Sequence, residues 1–376
     1  MTHVANVTID PAHVDVNLTD FVVYVDLSDL PSSFWDVVAD GGGDIRCFKS
    51  DGITELPREV VSCVQSTDTG ELHIAYDGIG GTLSATVDTV IQIHADGSSS
   101  DYAVTATYGR NNVWQDYWLV AHMTGTPTGS SNDIVNSTGN THGTSVSMSG
   151  SNEVTGLFGD GGGYSFDGSA DYIAFGDQTW LDSDSGFSLQ TWANLDSVGT
   201  NQAFLSKWSN IGVEQSWLLG TDNDVSGELR SAVRNSASGY TIGDTTDASL
   251  STATDYQLVV TFNSSALIHY KNGAALTTTA VATAATSPGN RTSTIRIAAQ
   301  HDGNKLYDGV LDEVRIAKGI LSADWIDAEY TNQNTPSTFY AATAVGASGD
   351  FIQSIAGPGG IAGPGGNAGR AGGIAG

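Results

Sequence analysis

Positive charge is the scarcest feature of this 376-residue sequence. Five Lys and nine Arg stand against 34 Asp and eight Glu, for a formal net charge of −28. A chain of that sign repels DNA, RNA and anionic membrane surfaces at modest salt, which argues against all three as partners. Long apolar runs are also missing. No stretch of 18 apolar residues occurs, and the opening MTHVANVTIDPAHVDV has neither a basic nor an apolar leader-like region, so neither membrane insertion nor a signal peptide is expected. Cysteine is limited to Cys47 and Cys63. A simple hairpin through KSDGITE would set these two out of register, so two thiols are expected. Catalytic signatures are lacking as well: no His-Glu-x-x-His, no Cys/His zinc spacing, no phosphate loop with its lysine and no Gly-x-Ser-x-Gly elbow. The eight histidines stand singly and read as packed or surface residues.

What the sequence does contain is Asp, Gly, Thr, Ser and Val, in short alternating runs separated by turn dipeptides such as Asp51-Gly52 and Asn272-Gly273. That pattern predicts an all-β body, and the length predicts two domains and a tail. Asp in abundance with Lys depleted fits a halophilic or marine setting. At about 1 M salt the Debye length is only roughly 3 Å, so self-repulsion is screened while the carboxylates stay hydrated. FVVYVDL, DIRCF, LPREVVSCV, ELHIAYD and TVIQIHAD read as strands of a first unit, 1–123, with 118 as the earliest alternative start of the second. The second unit runs over 124–330, a linker over 331–354 and a glycine-rich tail over 355–376. In that tail Gly357, Gly360, Gly363, Gly366, Gly369 and Gly372 form a Gly-X-Y period. Such spacing suits extended helices meeting at a shared axis, which predicts association, most simply as a homotrimer, with packing on another virion protein as the rival.

Two resemblances follow from particular motifs. DIR, DG, LP and NVWQDYWLVAHM in the first unit resemble an uncharacterised β-sandwich family that commonly precedes laminin-G-like domains in microbial surface proteins. YSFDGSADYIAF, FSLQTWANLD and LDEVRIAKGILS resemble a concanavalin A-like, laminin-G-type jelly roll, with Ser322 capping a short closing helix that docks Ile326 and Tyr330. The second resemblance implies a structural calcium near the first and last strands of the jelly roll. In GVLDEVRIA, alternation puts Asp312 beside Val310, Val314 and Ile316, where a carboxylate needs a proton, hydrogen bonds or a cation. Asp167 and Asp171 of FDGSADY stand in the strand beside it, so Asp167, Asp171 and Asp312 are the candidate Ca2+ ligands, with an Asp capping loop amides as the alternative.

Paired carboxylates for glycoside hydrolysis must face one another across a cleft. Asp312 and Glu313, adjacent on a strand, are expected to face opposite ways, so no catalytic residue is named. Trp180, Trp192, Trp208, Trp217 and Tyr240 are the aromatics available for stacking on sugars, with none assigned that role. These features together predict a non-enzymatic adhesion protein on a virion surface, as a head fibre, turret or tail-fibre component, binding a host-surface glycan or glycoprotein. A cell-surface adhesin or filament subunit is one alternative, and the carbohydrate-binding part of a polysaccharide-degrading enzyme is another.

Overall fold

Alternation builds the N-terminal third. In Thr89–Ala95 the side chains of Thr89, Ile91, Ile93 and Ala95 are buried and those between are half-buried, the period of a strand. The computed structural model describes residues 2–76, 82–159, 161–199, 201–222 and 224–345. Within them Thr89–Ala95 is the middle of a five-stranded antiparallel sheet in the order Tyr340–Ala344, Thr2–Ile9, Thr89–Ala95, Arg46–Lys49, Glu55–Leu56. A three-stranded sheet, Val22–Asp26, Thr69–Ala75, Arg58–Val64, contributes Val23, Val25, Leu72 and Ile74 to the same core as Val7, Ile91 and Ile93. Cys47 and Cys63 lie in different sheets as free, buried thiols, and burial pushes them up to about 12 and about 11.

The rest is a jelly roll of two eight-stranded sheets. One is centred on Phe187–Leu195, between Asp308–Ala317 and Asp255–Phe262, and Tyr256, Leu258, Val260 and Phe262 share its inner face as the sequence predicts. Asn272 and Gly273 turn the next hairpin with φ +52° and +79°, the paired left-handed residues of a type I′ turn. The other sheet carries Ala203–Lys207, Trp217–Thr221, Leu229–Arg234 and Tyr240–Thr245 side by side.

The two sandwiches are sewn together at both ends of the jelly roll, and Met1–Val345 forms one compact unit. Tyr117–Ala121 pairs with Asp308–Ala317, which places it in a jelly-roll sheet. The helix Ala323–Asn334 starts where expected, with Ser322 Oγ accepting from Trp325 N at 3.1 Å. Its Trp325, Ile326 and Ala328 enter the N-terminal core, while Tyr330 stacks on Trp192 of the jelly roll. Asn332 straps the helix to the N-terminal sandwich, accepting from Tyr24 N and donating to Tyr24 O, each at 2.8 Å.

The expected linker is ordered over its first part: residues 331–344 finish this helix, form the short helix Pro336–Phe339 and add the strand Tyr340–Ala344. The alanines and threonines of that strand carry little hydrophobic pattern, and its partner lies more than 300 residues away, so no local signal marks it. The Gly-X-Y tail lies outside the described residues. No described helix is long and apolar enough to cross a membrane.

Candidate functional sites

A polar layer separates the two hydrophobic cores. Leu72 and Ile74 enter the N-terminal core, so Glu71 and His73 point from the opposite face of their strand, with Tyr24 and Glu59 paired beside His73. The jelly roll meets this face with Asp308–Ala317, and here simple alternation fails. Gln190 pairs with Arg315 but Trp192 pairs with Asp312, so Thr191 opposes two residues, and Glu313 sits at φ +48°. A bulge of this kind shifts the strand by one residue. Leu311, Val314 and Ile316 enter the jelly-roll core, and Asp312, Glu313 and Arg315 turn to the seam. The two adjacent acids, expected on opposite faces, share one.

The seam is densely bonded. His122 Nε2 lies 3.1 Å from Glu59 Oε2, and its Nδ1 contacts Glu313 Oε1. Glu59 also accepts from Ser137 Oγ at 2.7 Å and from the Trp114 indole at 2.5 Å. Arg315 donates to Glu313 Oε2 at 2.8 Å and to Glu329 Oε1 at 2.6 Å, and its guanidinium covers Trp114. His73 Nε2 lies 2.7 Å from Glu71 Oε1, and its ring stacks on His122 with centroids 4.9 Å apart. Gly161 lies against this seam, where a Cβ would collide with Glu71 Oε2, so only glycine fits there.

Burial disfavours every charge in the seam, and neighbours decide which survive. Burial opposes ionisation of His122, but Glu313 and Glu59 on either side outweigh it and hold its pKa well above the usual imidazole range. Burial likewise opposes ionisation of Glu313, which the His122 and Arg315 charges reverse. For Glu71, burial and then the Glu313 charge outweigh the nearby His122 and Arg315 cations and push it up to about 8. Burial and the His122 charge drive His73 down to about 3, and burial lifts Glu329 to about 7.

The three expected calcium ligands do not come together. Asp167 pairs with Asp308, and Asp312 lies four residues further along that strand, about 13 Å away at strand spacing. Asp167 caps its own turn instead, accepting from the amides of Ser169, Ala170 and Asp171 at 2.9, 2.8 and 3.1 Å. Asp171 accepts from Asn152 Nδ2 at 2.7 Å. Asp312 accepts from Leu157 N at 3.0 Å and Glu313 N at 2.7 Å, and burial, then Glu313 and Glu71, raise its pKa well above the usual carboxylate range. The two amides satisfy the carboxyl group, and its burial favours the protonated form. Among the described residues, the group of His and acid side chains close enough to share one metal ion is Glu71, His73, His122 and Glu313. None of the four is named as a metal ligand from the sequence, where Glu313 is weighed only as half of a carboxylate pair and the histidines as packed or surface residues. The spacing of Glu71 and His73 on one strand face was the available clue.

The aromatics divide cleanly. Trp217 is core, Trp192 is sealed in the seam with its indole donating to Gln333, and Trp180 packs against Phe175. Trp208, itself largely buried, and the half-buried Tyr240 belong to a separate apolar strip with Ala203, Leu218, Ala232 and Ile242, apart from the jelly-roll core. Their ring centroids are 6.2 Å apart. Gln215 Oε1 accepts from Tyr240 OH at 2.8 Å and from Arg234, whose guanidinium lies 4.9 Å from the Tyr240 ring. Asn210 accepts from the Trp208 indole at 3.2 Å and donates to Gln300 at 2.8 Å. Arg234 Nε and Gln300 Nε2 are buried without an acceptor among the described residues, and Ile211 and Val213 of the adjoining loop are exposed.

The family model of the concanavalin A-like lectin/glucanases superfamily matches residues 167–327. No curated protein matches the chain. Similar solved structures include the binding domain of Paraclostridial Mosquitocidal Protein 1, at 14% identity over 58% of this chain and 52% of that one, with a TM-score of 0.42. The receptor binding domain of botulinum neurotoxin C/D mosaic serotype follows at 15% identity, 59% and 52% coverage and a TM-score of 0.42, so this chain spans about half the length of both toxin domains. Domain 4 of AbnA, a GH43 extracellular arabinanase from Geobacillus stearothermophilus in complex with arabinotriose, is 17% identical over 55% of this chain and 98% of that one, with a TM-score of 0.40. Residues 167–327 thus match the model of that superfamily, and they fold into the paired antiparallel sheets of a jelly roll.

Proposed function

We propose that this chain is a non-enzymatic adhesion protein whose jelly roll binds a surface glycan at the Trp208–Tyr240 face. We further propose that it serves as a head-fibre, turret or tail-fibre component of a virus with a halophilic or marine host. The observation that carries glycan binding is the pairing of two aromatic rings with side chains whose polar atoms are fixed by one another, in a strip apart from the jelly-roll core. Sugar rings stack on aromatic faces and are oriented by a few positioned polar groups, a part that the exposed Asn210 and half-buried Gln215 beside the two rings can play. The superfamily of the jelly roll, which takes in lectins, supports the same reading. The charge of −28 supports a life in salt. Trp208→Ala and Tyr240→Ala are each expected to weaken binding of the full chain on a glycan array by about tenfold, the effect of ~1.4 kcal/mol. Folded variants that bind as tightly as the parent sink this assignment.

The Gly-X-Y period supports a homotrimer that presents several jelly rolls at once. Light scattering on the full chain and on a chain ending after Val345 tests it. The cut falls there because Tyr340–Ala344 pairs with Thr2–Ile9 and must be kept. A trimer that becomes a monomer is expected, whereas a monomeric full chain, or a trimer that survives the cut, removes the role given to the tail.

A further inference from the structure

The seam holds five carboxyl groups, Glu59, Glu71, Asp312, Glu313 and Glu329, with Arg315, His73 and His122 as their only possible cations among the residues bonded there. Acids outnumber bases in this buried layer, and the excess falls on one spot. Glu71, His73, His122 and Glu313 are all buried, and each offers an atom within 4.8 Å of the others. Glu71 Oε1 stands 2.7 Å from His73 Nε2 and 3.7 Å from His122 Nδ1, and Glu313 Oε1 touches the same Nδ1. Ligands around one tetrahedral ion bound at about 2.0–2.2 Å lie about 3.4 Å apart. The Glu71–His122 separation already fits, while the Glu71–His73 and Glu313–His122 contacts are hydrogen bonds that a metal ion would replace by small side-chain shifts.

We propose that Glu71, His73, His122 and Glu313 bind one divalent transition-metal ion, with zinc the best match, which ties the N-terminal sandwich to the jelly roll. Two imidazole nitrogens and two carboxylate oxygens are donors of the borderline kind that zinc takes in fours, whereas calcium calls for six to eight oxygens. The atoms that face away from the shared centre are already held as metal ligands usually are. His122 Nε2 bonds Glu59, which is fixed in turn by Ser137 and Trp114, and Glu313 Oε2 is held by Arg315. An approach exists too. A cavity of about 240 Å3, lined by Arg58, Glu59, Asp101, Arg110, His122 and Ser137 among others, reaches the outer side of His122. The ligands come from both sandwiches: Glu71 and His73 from Thr69–Ala75, His122 from just beyond Tyr117–Ala121, and Glu313 from Asp308–Ala317. The site therefore exists only in the assembled chain, and it is independent of the glycan-binding reading.

The test uses the full chain, stripped with chelator and dialysed against zinc sulfate, with bound metal measured by elemental analysis and cobalt(II) as a spectroscopic probe. One equivalent of zinc per chain, a raised melting temperature and the visible d–d bands of low-symmetry Co2+ are expected. His73→Gln and His122→Gln should abolish the bands. Glu59→Gln, which leaves all four ligands in place, should weaken affinity about 10- to 100-fold. Should a ligand variant fail to fold, Glu59→Gln and the unmutated chain still decide. A natively folded chain, by near-ultraviolet circular dichroism, that retains no metal overturns the proposal. So do uptake and bands that persist in both histidine variants, since the metal would then sit elsewhere.

Discussion

Arg315→Met is expected to destabilise the protein by about 3–5 kcal/mol, read as a lower urea midpoint. Arg315 is 2% exposed and bridges Glu313 and Glu329, so its loss leaves two acids in a buried layer with one cation fewer. The cost is that of stranding buried charge, which predicts its own relief. Glu313→Gln combined with Arg315→Met should recover part of the loss, because an amide needs no counter-charge. Arg315→Lys should fall between, since an ammonium keeps the charge but cannot bond both acids with one rigid fork. A Met variant as stable as the parent would show that the seam contributes nothing beyond packing.

Acid should act through a different residue. His269 is fully buried in the jelly roll, with Nδ1 3.1 Å from Thr278 Oγ1 and Nε2 2.9 Å from Ser231 Oγ, and burial lowers its pKa to about 3. In the unfolded chain a histidine titrates near 6.5, so between about pH 6.5 and 3 the unfolded state binds a proton that the folded state refuses. The stability due to a neutral His269 is therefore complete above about pH 6.5. It is lost on acidification at about 1.4 kcal/mol per pH unit, some 4–5 kcal/mol in all. The raised acids Glu71 and Glu329 work the other way, stabilising the fold as pH falls from about 8. The decisive quantity is thus the difference between parent and His269→Gln. The parent should show the steeper fall in unfolding free energy between pH 6 and 4, and equal slopes would rule His269 out.

How legible all this was in the sequence depended on distance along the chain. Period-two runs such as Asp255–Phe262, the Asn272-Gly273 turn and the Ser322 cap are local devices, and each stands where the residues placed it. The seam is not local. Its phase turns on a left-handed backbone at Glu313, a residue type with no special liking for that conformation, so nothing in LDEVRIA marks the bulge. Two adjacent acids were assigned to opposite faces for that reason, and Asp312 was given apolar company it does not keep. The partners Glu71, His122 and Glu313 lie 51 and 191 residues apart, joined only once both sandwiches exist. In the separate strip, Trp208 and Tyr240 could be counted as candidates but not separated from Trp192 and Trp217, because all four sit in or beside similar short strands.

The pairing of Thr2–Ile9 with Tyr340–Ala344 also dictates an order of events during synthesis. Thr2–Ile9 is made more than 300 residues before its partner, with an entire jelly roll in between, so this edge of the five-stranded sheet stays bare until Tyr340–Ala344 emerges. Such a wait is long in chain-closure terms and leaves an open template for other strands. With Asn6 and Thr8 half-buried and exposed positions rich in Asp around it, that edge is guarded by polarity and charge repulsion until its own partner arrives.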